Sequence, residues 1–297
     1  MGEWTPEFVD LASVVALRPA CDGLLSCGGL YVTGGLGGLA APTVAVVGTR
    51  AASALGKNLA HRLACELARA GVCIVSGLAV GIDTAAHQGA LEAGGATIGV
   101  LGGGHRRFFP KCNLKLATRM ADCAGAVLSP YAPDQPAQPH HFLQRNGIVA
   151  ALADAVVVVE APVRSGALNT ANWAAGRVPV LAFPGDVDRV KIAGCLELIR
   201  DGAILARNAG DVLATLGLLS KALSKPDQRL RSPQPLDPMQ AKIVQLLGEF
   251  ELPLDTLIGL SELPAAHVLS AVTLLETNGL IERRDGGCIA LTCKPRS

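Results

Sequence analysis

No two of the nine cysteines form a C-x-x-C pair, and no histidine cluster accompanies them. That excludes the usual zinc-site spacings. Cys21, Cys27, Cys65, Cys73, Cys112, Cys123, Cys195, Cys288 and Cys293 therefore read as free thiols of a reducing compartment. No apolar run is long and uninterrupted enough to span a bilayer, and the opening MGEWTPEFVD is acidic where a signal peptide would be basic. A cytoplasmic location without membrane attachment is the expectation. An excess of one charge is missing too: the formal net charge is +1, so nothing draws polyanions to the chain as a whole, and a nucleic-acid site must be a local patch. Charged residues make up only 17% against 50% hydrophobic ones, which excludes disorder over most of the length. No internal repeat is visible. Aromatic residues amount to 3%, so where they gather is informative.

What is present begins with residues 42–83. A buried strand, Val44–Val47, runs into Gly48-Thr49-Arg50; a helix follows, then a second strand, Cys73–Val75, that breaks at Ser76-Gly77. Glycines at strand ends let backbone N–H groups approach a ligand, and the following helix aims its positive end at the same spot. Arg50 adds a forked, permanently charged phosphate partner. Further apolar runs predict strands at Thr97–Leu101, Ala126–Leu128, Ala155–Val159 and Val180–Ala182. Helices are predicted at Ala54–Ala70, Asp83–Ala93, Leu114–Ala121, Gln144–Ala151, Asn169–Ala175 and Gly194–Arg200. The alternation predicts an α/β fold with a doubly wound, mainly parallel sheet and ligands at the carboxyl ends of its strands.

The polar, basic, proline-containing stretch 219–235 reads as a linker. Beyond it, helices at Asp237–Leu247, Leu254–Leu260 and Ala265–Asn278, closed by Gly279, precede a hairpin turning at Asp285-Gly286-Gly287; together these make a small winged-helix domain. This tail holds five basic and eight acidic residues, and PAAHVLSAVTLLETNG carries no lysine or arginine. Such a helix does not suit reading of a major groove.

The chemistry gathers at strand ends: Gly48-Thr49-Arg50, Ser76-Gly77 with Gly81-Ile82-Asp83, Gly102-Gly103-Gly104, Glu160 with Ser165-Gly166 and Thr170, and Pro184-Gly185. Asp83 suits an N-cap, and His87 either a packed position or a ligand contact. Glu160 stands where an acid or base would act but has no catalytic partner, so a structural acceptor role is expected, with no catalytic residue, metal or cofactor. Four aromatics, Phe108, Phe109, Tyr131 and Phe142, fall between positions 105 and 145. Beside them Arg106, Arg107, Lys111, Lys115 and Arg119 occur with no acid between His105 and Arg119. Cations interleaved with rings suit single-stranded nucleic acid; core phenylalanine beneath a solvated basic helix is the alternative.

VAVVGTR, SGLAVGIDTAAHQGALEAGGATIGVLGGG, His141–Asn146, VVVVEAPVRSGALNTANWAAGR and AFPGD, in that order, resemble the DprA/Smf family of DNA-processing proteins from about Leu30 to Leu216. The resemblance implies an extended Rossmann-like domain over 42–218 after a short N-terminal segment, 1–41, with the winged-helix domain at 236–297. It implies a non-catalytic, homodimeric binder of single-stranded DNA that protects incoming DNA in transformation and helps load a RecA-type recombinase. On this chain it assigns DNA contact to Gly48, Thr49, Arg50, Ser76, Gly77, Ser165, Gly166 and Thr170, base stacking to Phe142, and pocket lining to Arg145 and Asn146, with Arg177 as a further cation. Arg106 and Lys111 are added from the basic-aromatic cluster. The chain departs from the family pattern at Thr49, Leu55, Val80, Leu143, Gln144 and Gly147, several of which are cationic in the family, and weaker or rearranged DNA binding is expected. The competing classes are a degenerate interaction scaffold and a phosphoribohydrolase-like nucleotide enzyme; the latter lacks its P-G-G-x-G-T-x-x-E element here.

Overall fold

The computed structural model describes residues 4–21, 27–218, 237–247, 252–261, 263–277, 281–283 and 288–291. The chain divides into two compact units, Met1–Lys225 and Pro226–Ser297. The expected linker, 219–235, lies outside the described residues, as do Gly279, Arg284 and the turn Asp285-Gly286-Gly287.

Unit 1 is built on a nine-stranded sheet. In chain order the strands are β1 (Glu7–Asp10), β2 (Gly29–Gly34), β3 (Thr43–Val47), β4 (Cys73–Ser76), β5 (Thr97–Val100), β6 (Ala126–Ser129), β7 (Ala155–Val158), β8 (Val180–Ala182) and β9 (Ile204–Leu205). Their spatial order is β1-β2-β6-β5-β4-β3-β7-β8-β9. From β6 to β9 every pairing is parallel, while β1–β2 and β2–β6 are antiparallel. The N-terminal segment thus supplies two strands that residue patterning did not reveal: β1 is almost wholly exposed, and β2 begins and ends in glycine.

The core strands form where apolar runs allow burial on both faces. Along β3, Val44 and Val46 pack with Ala60, Leu63, Ala64 and Leu67 of α2 (Ala54–Arg69) and with Ala86 and Ala90 of α3 (Ile82–Glu92). The alternate residues Ala45 and Val47 face the other layer, where α5 (Pro139–Ala151) contributes Ile148 to Ala151 and α6 (Gly166–Ala174) contributes Ala167, Ala171 and Ala174. Each fully buried valine or isoleucine contributes roughly 1.5–3 kcal/mol. Small side chains on all four helices bring them close to the sheet. The remaining helices of unit 1 are α1 (Leu11–Leu17), α4 (Leu114–Asp122), α7 (Ala193–Arg200) and α8 (Ala209–Thr215). Buried thiols fit this apolar packing: Cys73 is pushed up to about 12 and Cys195 to about 11 by loss of water.

Two helices start earlier than their apolar pattern suggests. Pro139 at the first helical position and the reciprocal Gln138–His141 capping pair begin α5 five residues before Gln144. Ser165 caps α6 by accepting from Leu168 N, so that helix begins at Gly166.

Unit 2 has three helices, α9 (Pro238–Leu247), α10 (Leu254–Ser261) and α11 (Ala265–Thr277). Its sheet places β12 (Cys288–Leu291) between β10 (Leu252–Pro253) and β11 (Ile281–Arg283), one short strand more than the predicted two-stranded ribbon. Ile243, Leu247, Leu257, Val268, Val272, Leu275, Ile281 and Ile289 form its separate core.

Candidate functional site

The chain runs outward from β3 to β4, β5 and β6, then returns to place β7 on the other side of β3. The carboxyl ends of β3 and β7 therefore mark the reversal of strand order, where open α/β sheets bind ligands. A cleft of about 640 Å³ lies there, walled by Gly48, Thr49 and Arg50 after β3, Gly77 and Ala79 after β4, Arg164 to Thr170 after β7, and one face of α5.

One side of this region is filled by the chain's own charges. Glu160, 2% exposed, accepts from Ser53 N at 2.9 Å and Ser53 Oγ at 2.6 Å, and Arg189 approaches it at 3.3 Å. Ser53 is the N-cap of α2 and accepts from Gly56 N. The Glu160 carboxylate packs on Gly56, where a Cβ would collide with it. The expectation that the positive end of α2 receives a ligand anion is thus corrected: an internal carboxylate already sits there, in the structural acceptor role expected of Glu160.

Asp83 behaves likewise. It lies inside the first turn of α3 rather than at the N-cap, which is Gly81, and accepts from Gly77 N at 3.1 Å and Ala79 N at 3.4 Å. Burial raises its pKa against the pull of Arg145. Arg145 is 3% exposed and donates to the carbonyls of Gly77 and Val100; burial lowers its pKa to about 10 even though Asp83 opposes the shift. A Cβ at Gly77 would collide with this guanidinium. His87 is fully buried, with Nδ1 at 2.7 Å from Thr97 Oγ1, and burial followed by the charge of Arg145 lowers its pKa to about 3. It is a core histidine and lines no part of the cleft. Between these groups Leu78 adopts φ 56°, unusual for a branched side chain, and is held by burial and by Asn113 Nδ2 donating to its carbonyl at 2.9 Å.

The other side is open. The α6 terminus, Ser165-Gly166-Ala167, lines the cleft, with Arg164 exposed just before it. Asn146 Nδ2 donates to Gly166 O at 3.1 Å and Thr170 Oγ1 to the same carbonyl at 3.3 Å, which fixes this turn to α5 and to its own helix. Phe142 stands in the first turn of α5 on the face shared by Arg145, Asn146 and Val149, as the three- and four-residue helical spacing requires. The Arg50 guanidinium lies 5.0 Å from its ring centroid and that of Arg145 5.9 Å, while Phe109 tilts against it at 6.0 Å. The charged side chains lining the cleft are Arg50, Arg145, Arg164 and Asp83, of which Arg50 and Arg164 are exposed.

Of the residues singled out from the sequence, the fold brings Gly48, Thr49, Arg50, Gly77, Phe142, Arg145, Asn146, Ser165, Gly166 and Thr170 into this one cleft. Four lie outside its lining. Ser76 is buried beneath it and donates to Val46 O; Arg106 pairs with Asp134 at 2.7 Å; Lys111 and Arg177 are exposed elsewhere. The basic-aromatic cluster thus separates, with Phe108 buried against Trp4 and only Phe109 and Phe142 at the cleft. Arg164 and Phe109 were missed, although Arg164 directly precedes the Ser165-Gly166 helix start and Phe109 belongs to the aromatic group.

The sequence model of the family described as DNA recombination-mediator protein A matches residues 27–217, and that of the DprA winged helix domain matches residues 226–287. A protein of Mycobacterium tuberculosis named as a DNA processing protein DprA is 41% identical over 245 residues. The match covers 82% of this chain and 62% of that relative's length. The solved structure of DNA processing protein A from Streptococcus pneumoniae is similar with a TM-score of 0.65 and 37% identity over 71% of this chain and 74% of that one. DNA processing protein A from Helicobacter pylori, solved for its unique single-stranded DNA binding mode, is similar with a TM-score of 0.64 and 29% identity over 72% and 96%. This chain belongs to the DprA/Smf family of DNA-processing proteins.

Proposed function

We propose that this DprA/Smf-family chain holds single-stranded DNA across the switch-point cleft, protecting incoming DNA and helping to load a RecA-type recombinase in transformation and recombination. The observation that carries the reading is the open N-terminus of α6 facing exposed Arg50 and Arg164 across a ring, Phe142. A phosphate suits the N–H groups at that terminus, where the helix dipole favours an anion. Arg50 and Arg164 neutralise neighbouring phosphates, and Phe142 offers a stacking face that an unpaired base can reach and a paired one cannot. The reading gives Arg145 a positioning role: its donors are taken by Gly77 and Val100, so it holds the β4 turn and backs the Phe142 ring.

Single strands rather than another polyanion are supported by family membership and by the Helicobacter pylori relative. Phosphate contact and stacking are base-tolerant, so little sequence preference follows. Binding rather than turnover is supported by the two buried carboxylates, Asp83 and Glu160, both already engaged by backbone N–H groups. The homodimer, the recombinase partner and the cytoplasmic location belong to the same reading through the family; light scattering and a recombinase-filament assay on protein-coated single strands check the first two.

Fluorescence anisotropy of labelled oligo-dT against duplex, at several salt concentrations, tests the reading. Single-strand preference that weakens with salt is expected, with a loss of about 100-fold in an Arg50→Glu, Phe142→Ala double variant. Equal binding by wild type and double variant would overturn it. An interaction scaffold is the second reading, favoured by an apolar rim at Leu55, Val80 and Leu143, which are 65%, 37% and 52% exposed. Absence of DNA binding even at low salt is the outcome that selects it.

A further inference from the structure

Helix α6 carries more than the anion-binding turn. Its opposite end reaches a second hollow of about 340 Å³, walled by Tyr131, Gln144, Gly147, Ile148 and Trp173. Trp173 is 47% exposed, a large apolar ring left in water on an otherwise well-packed unit. The reason lies across from it on α5. A Cβ at Gly147 would sit 3.3 Å from Cδ2 and Cε2 of the indole, so a side chain at this position would cover the ring. Where the family pattern has the second arginine of R-N-R, this chain has glycine, and the indole face is bare. Tyr131 donates to Gln144 Oε1 at 3.0 Å, which gives the hollow a polar edge.

The hollow is continuous with the cleft through both helices. On α5, Asn146 lines the first site and Gly147 the second; on α6, Thr170 lines the first and Trp173 the second. Seven residues separate Gly166 from Trp173, about 10 Å along the helix. Arg177 lies one turn further on, exposed, and so is the next cation beyond the ring. An exposed aromatic face flanked by a cation and reached from an anion-binding cleft has the parts of a single-strand track.

We propose that the hollow over Trp173 is a second base-stacking site, for the stretch of single-stranded DNA that leaves the cleft across α5 at Gly147, with Arg177 meeting the phosphate beyond it. The proposal rests on the single-strand reading of the cleft. Loss of a phosphate-binding arginine at position 147 is thereby exchanged for a stacking contact.

The chain has two tryptophans, so a Trp4→Phe protein reports Trp173 alone. Titrated with an oligo-dT about 20 nucleotides long, its emission is expected to be quenched in step with anisotropy, whereas one about 6 nucleotides long fills the cleft without quenching. Gly147→Leu, which covers the indole and keeps a helix-forming residue, should remove the quenching and weaken binding of the longer strand about tenfold with little effect on the shorter. Binding that is abolished by Arg50→Glu but leaves Trp173 emission and the Gly147→Leu affinity unchanged would overturn this proposal and leave the cleft reading standing. A change in emission with protein concentration alone would assign the hollow to a second copy and also overturn it. No binding of either oligonucleotide would overturn both.

Discussion

Helices α2 and α6 begin in the same way. Each follows the carboxyl end of a central strand, each has a serine N-cap, and each points its positive end toward the switch point. Yet Glu160 fills the first terminus, while the second opens into the cleft. The same local signal, a glycine-containing turn and a serine before a helix, therefore serves two ends. On the α2 side the chain completes its own electrostatics, and Asp83 with Arg145 does so again at α3. On the α6 side the donors are left for a ligand. Substitutions on the closed side should change stability, and those on the open side should change binding.

The largest effect is expected where the closed side is broken. Glu160→Ala removes the acceptor of two Ser53 donors and the partner of Arg189, so a loss of about 3 kcal/mol in urea unfolding is predicted. Acid acts on the same side through His87. Its pKa is about 3 in the fold against an ordinary 6.5, so between these values the unfolded chain binds the extra proton. The stability it contributes is complete above pH 6.5 and declines as pH falls, by about 2 kcal/mol at pH 5. His87→Gln should flatten that part of the pH profile of Tm.

The open side gives smaller changes of a different kind. Gly166→Asp places a carboxylate at the α6 terminus, as Glu160 does at α2, in a position with room for a Cβ. It should raise stability slightly through the helix dipole and weaken oligo-dT binding about tenfold. Arg50→Gln should leave Tm unchanged and reduce the slope of log affinity against log salt by about 0.7, one phosphate contact on a single strand. A fall in Tm with either variant would blur the division between the two sides.

Much of this molecule is legible from residues alone. The parallel strands announce themselves as short apolar runs because both of their faces are covered, and Gly48-Thr49-Arg50, Phe142 and Ser165-Gly166 stand at the ends the topology brings together. What escaped has physical causes. β1 and β2 are edge strands, exposed or bounded by glycine, and lack the run of valines that marks a buried strand. Guanidinium groups look alike in a sequence: Arg145 is buried on carbonyls, Arg106 is paired with Asp134, and Arg164 is exposed in the cleft. The filling of α2 by Glu160 joins residues 107 apart in sequence and has no local trace.

Amide hydrogen exchange with and without oligo-dT tests the division between the two helix termini most directly. Bound single strand should slow exchange in the 165–168 turn and leave residues 53–57 unchanged. Protection at 53–57, or none at 165–168 under conditions where the oligonucleotide is bound, would contradict the account.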